Sequence, residues 1–137
     1  RKSVTFMETI GYFCEDDWKG FLQPPRFTVV YSEEVKAFLE VLNEKTRKKI
    51  LVNINKSKYV SDETLFKKLS GTDFWEFRTL YGKTYYRIYA FWDVQESAVV
   101  VTTHGIIKKG NKAPKKELIK ADEVRREYYL QKQENKK

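Results

Sequence analysis

Residues 74–104 read FWEFRTLYGKTYYRIYAFWDVQESAVVVTTH, and the fold turns on how this stretch divides. Aromatic and β-branched residues dominate it and turn-forming residues break it twice, which predicts three consecutive antiparallel strands over residues 74–81, 84–92 and 97–104. The first break, Gly82 and Lys83, has the length of a two-residue hairpin loop and therefore sets a register: Tyr81 opposite Thr84, Arg78 opposite Arg87, Glu76 opposite Tyr89. The second break constrains less. A loop over residues 93–96 pairs Trp92 with Ser97 and Tyr85 with His104, which puts His104 on the arginine face; one further residue in the loop reverses it.

N-terminal to this stretch, residues 26–31 read as a short strand, and Ser32 stands where a helix N-cap belongs, with Glu33 and Glu34 in the first turn. Val35, Phe38, Leu39 and Leu42 recur at helical spacing, and a second helix after Asn43 turns Ile50, Leu51 and Ile54 inward, giving a helical hairpin. Lys45, Arg47, Lys48 and Lys49 belong on its solvated side. Residues 61–69 read as one more short helix, closed by Ser70 and Gly71. A last helix begins near Pro114 and buries Leu118, Ala121, Val124 and Tyr128. The expected organisation is an N-terminal extension over residues 1–25, with Met7 as a candidate start residue, one domain over residues 26–130, and a disordered tail over residues 131–137. The fold class is α+β: an N-terminal strand and helical hairpin packed on a small antiparallel sheet, with a C-terminal helix.

Composition narrows the function. A chain of 137 residues with 41% apolar content supports a single core. The formal charge of +8 favours a polyanionic partner, and residues 108–137 alone carry eleven basic and five acidic residues. With Cys14 the only cysteine and His104 the only histidine, neither a disulfide framework nor a Cys/His zinc site can form within one chain; the expectation is a protein without a cofactor. No apolar run approaches the roughly 20 residues that cross a bilayer, and the first residues lack the apolar core of a signal peptide. The expectation is a cytoplasmic protein with no membrane partner.

The predicted register places Arg78 and Arg87 face to face. Like charges across a strand pair are unfavourable, whereas a bound phosphate is held by both guanidinium forks, so the pair reads as an anion site. The competing reading is that each arginine points to solvent or pairs separately with a carboxylate such as Glu76. Glu76 lies two residues before Arg78 on the same face, where it either orients an arginine or acts as a base; orientation is the favoured role. His104, if its register holds, brings a group suited to proton exchange near neutral pH. Gly105 permits a close turn after it, and Lys108 and Lys109 add two cations at the same strand end.

These residues carry a resemblance to a known family. The segments at 69–78 (LSGTDFWEFR), 85–91 (YYRIYAF) and 104–114 (HGIIKKGNKAP) resemble those of the phage-derived, HigB-like toxins of the RelE/ParE toxin–antitoxin superfamily, the last one through its histidine, glycine, paired lysines, third lysine and proline at the family's spacings. The likeness runs from about Phe27 to Tyr129, with Ile106, Gly110 and Ala113 as departures. It implies a microbial RNase-type fold, ribosome-dependent and metal-independent cleavage of messenger RNA, and a cognate antitoxin in a hetero-oligomeric complex. Within that implication His104, Arg78, Arg87 and Glu76 are the catalytic candidates, with Glu76 or Tyr85 as alternatives to His104 for proton transfer. Lys108, Lys109, Lys112 and Tyr85 are the RNA-binding candidates, and Tyr86, Tyr89 and Trp92 are further aromatics able to stack bases. The rival readings are a ParE-like inhibitor of DNA gyrase and a non-enzymatic nucleic-acid or ribosome-binding module.

Overall fold

The computed structural model describes residues 6–7, 24–108 and 114–135. The elements in chain order are β1 (Phe6–Met7), β2 (Thr28–Ser32), α1 (Glu33–Glu40), α2 (Glu44–Ser57), β3 (Phe66–Lys68), β4 (Trp75–Tyr81), β5 (Thr84–Trp92), β6 (Val99–Lys108) and α3 (Lys115–Asn135). The strands form one sheet in the order β1-β2-β6-β5-β4-β3. The expected antiparallel run β4-β5-β6 is present, and β2 joins it parallel to β6, so the α+β fold has a mixed sheet. This architecture is consistent with a small RelE-like fold.

Local chemistry places the helices. Ser32 ends β2 and caps α1: its hydroxyl accepts the Val35 N–H at 3.2 Å and donates to the Thr103 carbonyl at 2.9 Å, tying the start of the helix to β6. Asn43 caps α2 by accepting the Thr46 N–H at 2.9 Å. Lys45, Lys48 and Lys49 are exposed, while Arg47 turns back to the Leu39 and Leu42 carbonyls at the end of α1. Alternation along the strands splits the core in two. Val29, Phe77, Ile88, Ala90 and Val100 meet Val35, Leu39, Ile50, Leu51 and Ile54 of α1 and α2 on one face. Val30, Tyr89, Phe91 and Val101 meet Ala121 and Tyr128 of α3 on the other.

Three expectations are corrected. Residues 61–69 are not a helix: Asp62 accepts the Thr64 N–H and hydroxyl at 2.8 and 2.6 Å in a tight turn, and Phe66 then enters the sheet edge, stacked on Phe77 and Trp75 at 4.3 and 4.7 Å between centroids. A helix that short is marginal, and the aromatic cross-strand contacts outweigh it. Gly71, with φ of +75°, accordingly sits in the β3–β4 turn rather than at a helix end. The disorder expected from residue 131 onward is corrected over residues 131–135, where α3 continues to Asn135.

The third correction is the β5–β6 register. Trp92 pairs with Val100 and Tyr85 with Lys108, not with Ser97 and His104. Asp93 is the cause: its carboxylate accepts the Gln95 and Glu96 N–H groups at 2.7 and 3.1 Å, stabilising a loop that runs to Ala98. Between the Ala90–Thr102 and Ile88–Gly105 pairs a β-bulge sets Thr103 and His104 together against Tyr89. The bulge restores what the longer loop would have reversed, and His104 stacks on Tyr89 at 5.0 Å. The strand then continues through Gly105 to Lys108, so Gly105 makes no turn. A Cβ there would lie 2.7 and 2.8 Å from Cε2 and Cγ of Phe38 and meet Cδ2 as well, so glycine is required by the close packing of α1. Among the described residues no helix is long and apolar enough to cross a membrane.

Candidate functional site

The Gly82–Lys83 turn, with φ of 57° and 66° at its two residues, has the left-handed backbone of a two-residue hairpin, and the predicted β4–β5 register is the observed one. Arg78 therefore stands opposite Arg87, and Glu76 opposite Tyr89, on the face that α3 partly covers. Glu76 Oε1 lies 3.2 Å from Arg87 Nε and 3.6 Å from Arg78 Nε, and Oε2 lies 3.7 Å from Lys108 Nζ. One carboxylate thus serves three cations. The side chains of Glu76, Arg87 and Lys108 are at most 5% exposed, while that of Arg78 is 32% exposed and forms the outer wall, held by a hydrogen bond of its NH1 to the Glu63 carbonyl.

Burial governs the electrostatics. It lowers the Arg87 guanidinium pKa, with Arg78 pushing the same way and Glu76 opposing. Lys108 is lowered for the same first reason, with Glu76 again opposing. The Tyr89 phenol is pushed up, by burial first and by the Glu76 and Glu117 carboxylates after it. Glu76 Oε2, Arg78 Nε, Arg87 Nε and the Tyr89 hydroxyl are all buried without a hydrogen bond, although the first three sit at ion-pair distance within the cluster. Buried polar atoms without a hydrogen bond are rare in folded proteins, and here they surround one carboxylate shared by three cations, an excess of positive charge suited to an anion. Tyr85 lies beside them, half exposed, with the Arg87 guanidinium carbon 5.3 Å from its ring centroid.

His104 shares the face but not the cluster. It is 2% exposed, with Nδ1 3.0 Å from Thr103 Oγ1 and Nε2 3.2 Å from Glu117 Oε1 on α3. The Thr103 hydroxyl is itself within 3.3 Å of the Tyr89 carbonyl, so His104, Thr103 and Tyr89 form one buried polar chain that ends on Glu117. Burial lowers its pKa, and the contact with Glu117 only partly offsets this. Both nitrogens are engaged, which leaves neither aimed at the arginines. Lys109 and Lys112 lie outside the described residues.

Residues 37–126 match the phage-derived, Gp49-like protein family (DUF891), which is about two-thirds of the chain. The chain belongs to the Gp49-like family. Members of this family are associated with toxins of the RelE/HigB type, which brings a cognate antitoxin as the partner that the association suggests. No curated protein matches the sequence. The matched segment of this Gp49-like chain contains Glu76, Arg78, Arg87, His104 and Lys108, together with Glu117.

Of the candidates in the Gp49-like sequence, Glu76, Arg78, Arg87, Lys108 and Tyr85 come together, and His104 stands one residue row away behind Tyr89. Two participants escaped the sequence reading. Glu117 lies in the first turn of α3, where an acid satisfies the helix end in any protein, and nothing in the sequence ties it to His104. Asp93 anchors α3 from the far side, accepting from Tyr128 Oη at 2.5 Å and Lys132 Nζ at 2.7 Å; its position in a strand-to-strand loop signalled only a turn. Among the described residues no group of three or more His, Cys, Asp or Glu side chains is placed to hold a metal ion.

Proposed function

We propose that this chain is a HigB-like toxin that cleaves messenger RNA on the ribosome in the cytoplasm and is held inactive by a cognate antitoxin. The observation that carries the reading is the opposed pair Arg78 and Arg87 sharing Glu76 with Lys108 beside them: two arginines across a ladder position are a cost to the sheet that a bound phosphate converts into a gain. In the proposed reaction the RNA 2′-oxygen attacks the adjacent phosphorus, its proton leaves to a protein base, and the bond from phosphorus to the 5′-oxygen breaks, that oxygen taking up a proton. Arg78, Arg87 and Lys108 stabilise the charge that builds on the phosphoryl oxygens. Glu76 orients both guanidinium groups through Oε1, and its Oε2, 3.7 Å from Lys108 Nζ, is the proposed proton acceptor. His104, engaged at both nitrogens, is assigned a positioning role that holds α3 and Tyr89. Lys109 and Lys112 remain candidates for RNA-backbone contact.

The test is a reconstituted translation reaction with new RNA 5′ ends mapped by primer extension. Discrete, translation-dependent cuts that are strongly slowed in Arg78→Ala support the reading. Intact RNA from folded wild-type protein turns it toward binding without chemistry or toward a gyrase target.

A further inference from the structure

We infer that Leu80 and Tyr85 form a nucleobase subsite that favours a purine next to the cleaved phosphate. The inference rests on the RNA-cleavage reading above. The β4–β5 register pairs Leu80 with Tyr85, two residues along each strand from Arg78 and Arg87 and therefore on the same face, one row farther from the α3 cover. Rows on one face of a sheet are about 6.6 Å apart, so a base attached to a nucleotide whose phosphate lies on the arginines reaches this row.

Exposure and strand face together separate this pair from the other aromatics, since exposed Tyr81 pairs with Thr84 on the opposite face. Tyr89 is fully buried, and Tyr86 and Trp92 pack toward the α1–α2 core on the opposite face. Tyr85 is 47% exposed and Leu80 53% exposed, an aromatic and an aliphatic side chain paired across the strands in the row next to Arg78 and Arg87. Single exposed apolar residues are ordinary, but a contiguous pair bordering cations has the composition of a stacking platform on an electrostatic track. The Arg87 guanidinium over Tyr85 fixes the ring. No hydrogen-bonding group of the pair reads a base edge apart from the phenol, so selection follows the size of the stacked face, and a purine covers more of both side chains than a pyrimidine.

Two measurements on the intact chain test this. The cleavage profile across a mixed-sequence messenger RNA in reconstituted translation should show purine-flanked cuts, reduced about ten-fold relative to pyrimidine-flanked cuts in Leu80→Ala and Tyr85→Ala and retained in Tyr85→Phe. In parallel, 2′-O-methyl trinucleotides, which cannot be cleaved by 2′-oxygen attack, should bind more tightly with purines than with pyrimidines, and Leu80→Ala should erase that difference while melting at the wild-type temperature. Wild-type cleavage with profiles and trinucleotide preferences unchanged in Leu80→Ala and Tyr85→Ala overturns the subsite alone. Wild-type protein that neither cuts nor binds overturns the subsite together with the RNA-cleavage reading.

Discussion

Replacing Glu76 by alanine removes the carboxylate that the two facing arginines share and leaves their guanidinium groups opposed in a largely buried place. At 3.2 and 3.6 Å and an effective dielectric near 20, each attraction is worth about 5 kcal/mol before the desolvation of the carboxylate is counted. Removing one partner of a buried pair costs about 3–5 kcal/mol, and because a third of the Arg78 side chain is in water its share is screened, which puts the expected loss near 3 kcal/mol. Urea unfolding of wild type and Glu76→Ala at neutral pH and low salt measures it. The loss should shrink when inorganic phosphate is added, since phosphate supplies the missing negative charge, and it should shrink in an Arg78→Ala background, where one of the opposed cations is gone. A loss below about 1 kcal/mol, the range of an exposed ion pair, that is also indifferent to phosphate would refute the view that these arginines are held by one buried counter-charge.

Three other outcomes follow from the packing. Gly105→Ala drives a methyl group into the Phe38 ring and should cost about 1–3 kcal/mol by chemical denaturation, with Phe38→Ala relieving the clash; an unperturbed Gly105→Ala would show that α1 does not pack as closely as described. Asp93→Ala removes the acceptor of Tyr128, Lys132 and two backbone N–H groups, and should cost about 2–4 kcal/mol with faster amide exchange concentrated at the C-terminal half of α3. Because burial lowers the folded-state pKa of His104 below the ordinary histidine value of 6.5, the unfolded chain takes up a proton first on acidification; stability is complete above that value and declines below it, and His104→Gln should flatten this decline in thermal melts across the same pH range.

The parts of this molecule that local chemistry controls are those the sequence displays. Gly82 and Lys83 dictate a hairpin whose length leaves one register, so the pairing of Arg78 with Arg87 and the presence of Glu76 on their face follow from the order of residues along the chain. Ser32 and Asn43 announce their helices because a capping side chain acts on the next turn of its own chain. The β5–β6 connection is different. Its register depends on how Asp93 folds the loop and on a bulge that no residue type signals, so the face of His104 is decided by two events whose effects on side-chain direction cancel. Residues 61–69 misread as a helix because Phe66 is recruited by Phe77 and Trp75, its neighbours only in space. The partnership of His104 with Glu117 depends in the same way on how α3 docks, a long-range fact that the amphipathic spacing of Ala121, Val124 and Tyr128 does not contain.

If the cluster on β4, β5 and β6 stabilises the transition state of RNA cleavage, cleavage rates on ribosome-bound messenger RNA will separate wild type, Arg78→Ala and the double variant Arg78→Ala, Arg87→Met. Methionine keeps an unbranched apolar stem in the buried seat of Arg87, and circular dichroism verifies that each variant is folded. Loss of one transition-state charge contact should slow the cut about 10²–10³-fold in Arg78→Ala, with no detectable cleavage in the double variant. Folded variants that cut at the wild-type rate would contradict the assignment of the arginine pair and, with it, the proposed function.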